Sequence, residues 1–362
     1  MSSANPGVDR PAGEQPRAGR LRMPAEWERH ERAWMAWPTR GYTLGESAAE
    51  AEEARVAWAA VANAVAEYEP LSMLVTPEER GEARLRLSDE IELIEAGLDD
   101  AWYRDIGPTF VFDDGALAAV NWVFNGWGQQ EWASWELDAK AALVAIGASG
   151  ARRIDSPMVN EGGAIHTDGL GTVLATKSVQ LDPLRNPGWT AQQVEAEFAR
   201  TLGARRVIWF ERGLHRDAQR FGTKGHVDIL ATFCAPGRVL YHDQRDGAHP
   251  DAAVSAELRA VLAASADAGG KPLEAVPLPA PATLRDDEGF VDYSYVNHFV
   301  LNDAVIACVF DDRSDDRATG ILADAYPGRV IVPVDARPIF ARGGGIHCIT
   351  QQQPATPAGR AR

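Results

Sequence analysis

Alanine-rich amphipathic stretches alternate along this chain with short β-branched, apolar runs that end in turn residues. Helical periodicity is clearest over residues 47–66 and 190–202, the second opened by Thr190, whose side chain can cap a helix. Residues 139–146 and 251–264 repeat the pattern. Runs of strand character fall at 108–112, 171–176, 229–233, 239–242, 299–301, 305–310 and 330–334.

The turn residues carry a longer rhythm. Asp113-Asp114-Gly115, Thr167-Asp168-Gly169, Ala235-Pro236-Gly237 and Leu301-Asn302-Asp303 each join two strand-like runs. They recur at intervals of roughly 55 to 70 residues, and a helical stretch follows most of them. The residues before Gly115 and after Asp303 leave room for one more unit divided between the chain ends. The pattern predicts an α/β fold of about five modules that closes on itself and so removes sheet edges.

Composition is that of a globular chain of 362 residues, 45% hydrophobic and 24% charged. A net charge of −16 argues against a nucleic-acid partner, because no basic stripe is present to neutralise phosphates. No run of about 18 or more apolar residues predicts a membrane span. Residues 1–20 mix Ser, Pro, Gly and Arg without an apolar centre and are expected to form a disordered tail. A single catalytic domain is expected over 21–354, with a flexible tail at 355–362. Cys234, Cys308 and Cys348 are too few and too scattered for a disulfide framework or a zinc pattern, which fits a cytoplasmic compartment.

Candidate chemistry centres on Gly343-Gly344-Gly345-Ile346-His347-Cys348. Glycines let backbone approach a ligand closely, and Gly344 and Gly345 are candidate substrate contacts. They deliver a lone thiol, which reads as a nucleophile. Asp105, Glu161 and Asp228 each lie about eight to ten residues ahead of a predicted turn, so their carboxylates are expected to converge. His226 and Asp228 are expected on one face of a strand. These residues suit the opening of a guanidinium group. Carboxylates grip its N–H edges, a thiolate attacks its carbon, and a histidine protonates the departing nitrogen and later activates water. Trp102, three residues before Asp105, is a candidate pocket wall. Trp27, Trp34, Trp37, Trp122 and Trp127 are expected in the core, and His166 and Asp168 are read as structural.

Several segments in order then carry a resemblance. They are Met23-Pro24-Ala25-Glu26-Trp27, His30 to Pro38, Arg104-Asp105-Ile106-Gly107-Pro108 and Phe124-Asn125-Gly126-Trp127-Gly128. Glu161-Gly162-Gly163, Arg185-Asn186-Pro187, Gly225-His226-Val227-Asp228 and Gly344 to Gln352 continue it. Together they resemble agmatine deiminases, within the bacterial-type peptidyl-arginine deiminase family, over nearly all of residues 21–354. The resemblance implies a five-bladed, pseudo-symmetric α/β propeller of pentein type, built of ββαβ-like modules. It implies Cys348 as the covalent nucleophile and His226 as general acid and base. Asp105 and Asp228 would grip the guanidinium, Glu161 would orient His226, and Trp102 would line the pocket. No cofactor or metal is implied, and relatives are commonly homo-oligomers. The implied reaction turns agmatine and water into N-carbamoylputrescine and ammonia. A carboxylate-bearing guanidine (4-guanidinobutanoate, arginine or peptidyl-arginine) and amidino transfer to an amine are the alternatives.

One departure bears on the substrate. The family usually has acidic residues just before Gly-His-Val-Asp, whereas this chain reads Arg220-Phe221-Gly222-Thr223-Lys224. Lys224 facing the pocket would favour a carboxylate tail. Lys224 facing solvent would leave Asp217 or Glu211 to serve an amine.

Overall fold

The computed structural model describes residues 21–356. The tail predicted over 1–20 lies outside the described residues, as does the 357–362 part of the predicted C-terminal tail. Ala355 is described, and its N–H donates to the Arg29 carbonyl at 2.8 Å.

Five small sheets share one plan. In each, a strand pairs antiparallel with its predecessor and parallel with the strand that follows a helix. Ala116–Val123 pairs with Thr109–Asp113 and, across the helix Ala141–Ser149, with Arg152–Val159. Thr172–Thr176 pairs with Ile165–Thr167 and, across Ala191–Leu202, with Arg206–Phe210. Arg238–Asp243 pairs with Ala231–Ala235 and, across Asp251–Ala264, with Glu274–Pro279. Ala304–Val309 pairs with Phe299–Val300 and, across Asp315–Ala325, with Val330–Asp335. The fifth sheet joins the two ends of the chain: His30–Ala36 pairs antiparallel with Thr350–Pro354 and, across Ala48–Ala66, parallel with Leu71–Val75. This is the divided unit that the turn spacing predicts.

Local chemistry explains the elements. Ser47 with Glu50, and Thr190 with Gln193, form reciprocal capping boxes that fix two helix starts. Asp114 and Gly115 both have positive φ (52° and 82°), the backbone that a two-residue hairpin needs between strands of right-handed twist.

Two expectations are corrected. The sheets remain separate and open, so sheet edges persist. Glu274–Pro279 lies on such an edge, where Pro277 and Pro279 cost no ladder bond. The strand predicted over 229–233 begins only at Ala231, because Val227–Ile229 is a 3₁₀ turn. His226 and Asp228 therefore do not share a strand face; the turn brings both side chains beside Gly163. Among the described residues no helix is long and apolar enough to cross a membrane.

Candidate active site

Each candidate side chain stands on a short turn next to a sheet, and each turn is pinned by buried contacts. Cys348 belongs to the 3₁₀ turn His347–Ile349, immediately ahead of Thr350–Pro354. The glycines before it keep its surroundings close. A Cβ on Gly344 would come within 2.7 Å of the Trp102 ring and 3.0 Å of Cys348 Sγ, and one on Gly345 would overlap the Asn297 amide. Gly343 alone of the three lines the cleft in front of the thiol.

That cleft lies between Trp102, Asp105, Trp127, Trp132, Phe221 and Cys348. The thiol is 95% buried. Asn297 Nδ2 donates to Sγ at 3.2 Å, and Asp228 Oδ2 lies 3.5 Å away. Burial, then the charges of Asp228 and Asp105, push the thiol well above its usual range.

Asp105 lies in the single turn Tyr103–Ile106. Gly163 N–H donates to its Oδ1 at 3.0 Å and Trp127 Nε1–H to its Oδ2 at 2.9 Å. Trp127, expected in the core, is thus buried but belongs to the site. His226 lies between two carboxylates, Nδ1 3.8 Å from Asp105 and Nε2 3.5 Å from Glu161. Burial pulls its pKa down, yet Asp105, Glu161 and Asp228 together raise it to about 9. Glu161 is fully buried, where burial alone would raise its pKa. Arg185, donating through Nε at 2.9 Å, and His226 hold it at about 2 instead. Asp228 is kept below the usual carboxylate range against burial, chiefly by His347. Its Oδ1 has no hydrogen-bond partner among the described residues.

Sequence reasoning missed the layer behind these groups. His347 bridges Asp228 Oδ2 (2.8 Å) and Glu26 Oε1 (2.9 Å). Arg104 lies 3.3 Å from Glu26 and donates to Gln351 Oε1 at 2.6 Å. His166 meets Thr232 Oγ1 at 2.7 Å and comes within 3.6 Å of Glu26, so its structural reading extends to supporting this layer. Asp168 accepts from Leu170 and Thr172 N–H within its turn. The available signal for the layer was its polarity. Glu26 stands between the apolar Ala25 and Trp27, where an unpaired charge would be costly.

Lys224 turns away. Its Nζ lies 3.1 Å from Asp182 Oδ2, and it does not line the cleft. Glu211 pairs with Lys177 on the surface, and Asp217 is occupied by the Thr223 N–H and hydroxyl. Among the described residues no group of three or more His, Cys, Asp or Glu is placed to hold a metal ion.

This geometry has close counterparts. A protein of Streptomyces coelicolor is 53% identical over 93% of this chain and 99% of its own length. The agmatine deiminase of Pseudomonas aeruginosa is 39% identical over 94% of this chain and 97% of its own. The solved agmatine deiminase of Enterococcus faecalis superimposes with a TM-score of 0.87 at 30% identity, covering 97% of this chain and all of that one. The model of the Porphyromonas-type peptidyl-arginine deiminase family matches residues 22–354, and the chain belongs to that family.

Proposed function

We propose that this chain hydrolyses the guanidinium of agmatine to N-carbamoylputrescine and ammonia through a covalent intermediate on Cys348. The observation that carries this reading is one buried cluster: the thiol and Asp105 line the cleft, Asp228 lies 3.5 Å from the thiol, and His226, of raised pKa, lies 3.8 Å from Asp105. The high sequence identity to named agmatine deiminases supports the choice of substrate.

Asp105 and the free Oδ1 of Asp228 accept the guanidinium N–H edges and place the carbon over Sγ. The arriving cation lowers the thiol pKa that the two carboxylates had raised, so with substrate bound the thiol releases its proton to solvent and becomes the thiolate. The thiolate adds to the guanidinium carbon. The carbon–nitrogen bond then breaks, and the nitrogen leaves as ammonia with a proton from His226. His226, now neutral, takes a proton from water. The hydroxide adds to the amidino carbon, the C–S bond breaks, and the ureido product departs. Glu161, braced by Arg185, orients the imidazole throughout.

Five sheets of one plan, one of them joining the chain ends, support an arrangement as blades of a five-bladed propeller in a single domain over 21–354. Three free cysteines fit a cytoplasmic setting. The test is a panel of agmatine, arginine, 4-guanidinobutanoate and an arginyl peptide, assayed for ureido product and ammonia. Equal yields of both from agmatine without an added amine are expected. Product only in the presence of an acceptor amine would establish transfer in place of hydrolysis.

A further inference from the structure

Phe221, Gly222 and Gly343 form a wall between two spaces. On one side is the cleft of Cys348 and Asp105. On the other is a hollow lined by Tyr42, Arg216, Arg220, Glu288 and Asp292. Phe221 holds φ of 71°, a left-handed backbone uncommon for an aromatic residue. Its ring stacks on Tyr42 at 4.1 Å and meets Trp132 edge-on at 5.4 Å, while Arg220 lies 4.5 Å from the ring centre.

The charges of the second cavity are unequally paired, and Asp292 makes no direct bond to either arginine. Both arms of Arg216 are taken, one by Asp286 at 2.5 Å and one by Glu288 at 2.5 Å. Arg220 is exposed at the rim, where water and salt screen it. Asp292 is only 8% exposed, and it forms no hydrogen bond or ion pair with another described residue. Asp217 behind it adds a second negative charge. Burial, then Asp217, raise the Asp292 pKa to about 7, against the pull of Arg216. A buried carboxylate without a partner is costly until a cation completes it.

We propose that Asp292 accepts the charged far end of the substrate, which reaches it past Phe221, and thereby selects guanidines that carry a second cation. This rests on the reading of Cys348 and Asp105 as the guanidinium end. The faces of Trp132 and Phe221 suit a polymethylene chain ending in a cation. A carboxylate tail would instead meet Asp292 as a like charge. The acceptor thus comes from a segment remote in sequence from Gly225-His226-Val227-Asp228, where residues 220–224 carry no acid.

Agmatine, n-butylguanidine and 4-guanidinobutanoate differ only at the far end and form the test. Wild type is expected to favour agmatine over n-butylguanidine in kcat/KM by about tenfold or more, the scale of one charge-assisted hydrogen bond. Asp292→Asn is expected to shrink that ratio about tenfold. Asn removes a buried unpaired charge, so the variant should unfold no lower than wild type, and Asp292→Ser repeats the test with a smaller side chain. Calorimetry with the Cys348→Ala protein and the same two ligands reads the far-end preference without turnover. A wild type that uses n-butylguanidine as well as agmatine, or ratios within twofold of wild type in both Asp292 variants, would overturn the proposal. No ureido product from any guanidine, with the binding preference intact, would sink the catalytic reading and leave the Asp292 assignment standing.

Discussion

His347 Nδ1 lies 2.8 Å from Asp228 Oδ2 and thereby ties one oxygen of that carboxylate, while the buried Oδ1 has no hydrogen-bond partner among the described residues. The other ring nitrogen is held by Glu26 at 2.9 Å, so the imidazole lies between two buried carboxylates. Although burial and Arg104 oppose it, Glu26 and Asp228 raise the His347 pKa. Glu26 is therefore a positioning residue that acts through His347. Glu26→Gln is expected to raise KM and lower kcat together, by roughly 10²-fold in kcat/KM, the usual scale for a displaced binding group. It also leaves Arg104 and His347 short of a buried counter-charge and should cost roughly 3–5 kcal/mol of stability. Steady-state kinetics beside denaturant unfolding check both. Lost stability with unchanged kcat and KM would make Glu26 purely structural.

Cys348→Ala and Cys348→Ser are expected to abolish turnover while leaving the unfolding transition in place. The three thiols should also differ in labelling. Burial raises Cys234 to about 11 and Cys308 to about 12, and neither lines the cleft in front of Cys348. A haloacetamidine, cationic like the substrate, should alkylate Cys348 far faster than neutral iodoacetamide does, because only the cation offsets Asp105 and Asp228. Peptide mass mapping reads the site, and equal rates for the two reagents would refute substrate-assisted thiolate formation.

The fold was legible wherever local chemistry decides it. The capping residue Thr190 and the turn residues Asp114-Gly115 marked their elements, because each satisfies a backbone need within a few residues. The predicted strand at 229–233 failed in its first half because hydrophobic Val227 and Ile229 serve a 3₁₀ turn whose purpose is to aim His226 and Asp228. In the site, the nucleophile and the acids stood out by residue type. Glu26, Asn297 and Asp292 did not, since their roles depend on contacts with segments far away in sequence, such as Asn297 on Cys348 at 3.2 Å.

Glu161 couples stability to pH from the acid side. Its pKa is near 4.5 in the unfolded chain and about 2 in the fold, so its contribution is complete above pH 4.5 and disappears as pH falls through 2. Glu161→Gln removes that dependence and strands Arg185, whose side chain is fully buried against it. A loss of roughly 3–5 kcal/mol is expected from the uncompensated cation. Chemical denaturation at pH 7 and pH 3 measures both effects. A wild type and variant that differ equally at both values would show that the Arg185 pair is not sensed by titration.

His226 works in the opposite direction. In the unfolded chain it titrates near 6.5, and in the fold near 9. The folded state therefore binds the extra proton, and the resulting stabilisation is complete below pH 6.5 and lost as pH rises through 9. The same proton is the one delivered to the leaving nitrogen, so kcat/KM, which reports the free enzyme, should fall along an alkaline limb centred near the raised pKa. Glu161→Gln withdraws one of the charges that hold it there, so the limb should move to lower pH while KM changes less than kcat. Replacing His226 by Gln should flatten the alkaline loss of stability and reduce turnover by at least 10²-fold, the range for a general acid and base. The decisive measurement is the kcat/KM profile of Glu161→Gln between pH 6 and 10. A limb that stays in place would detach Glu161 from His226 and return it to a purely structural pairing with Arg185.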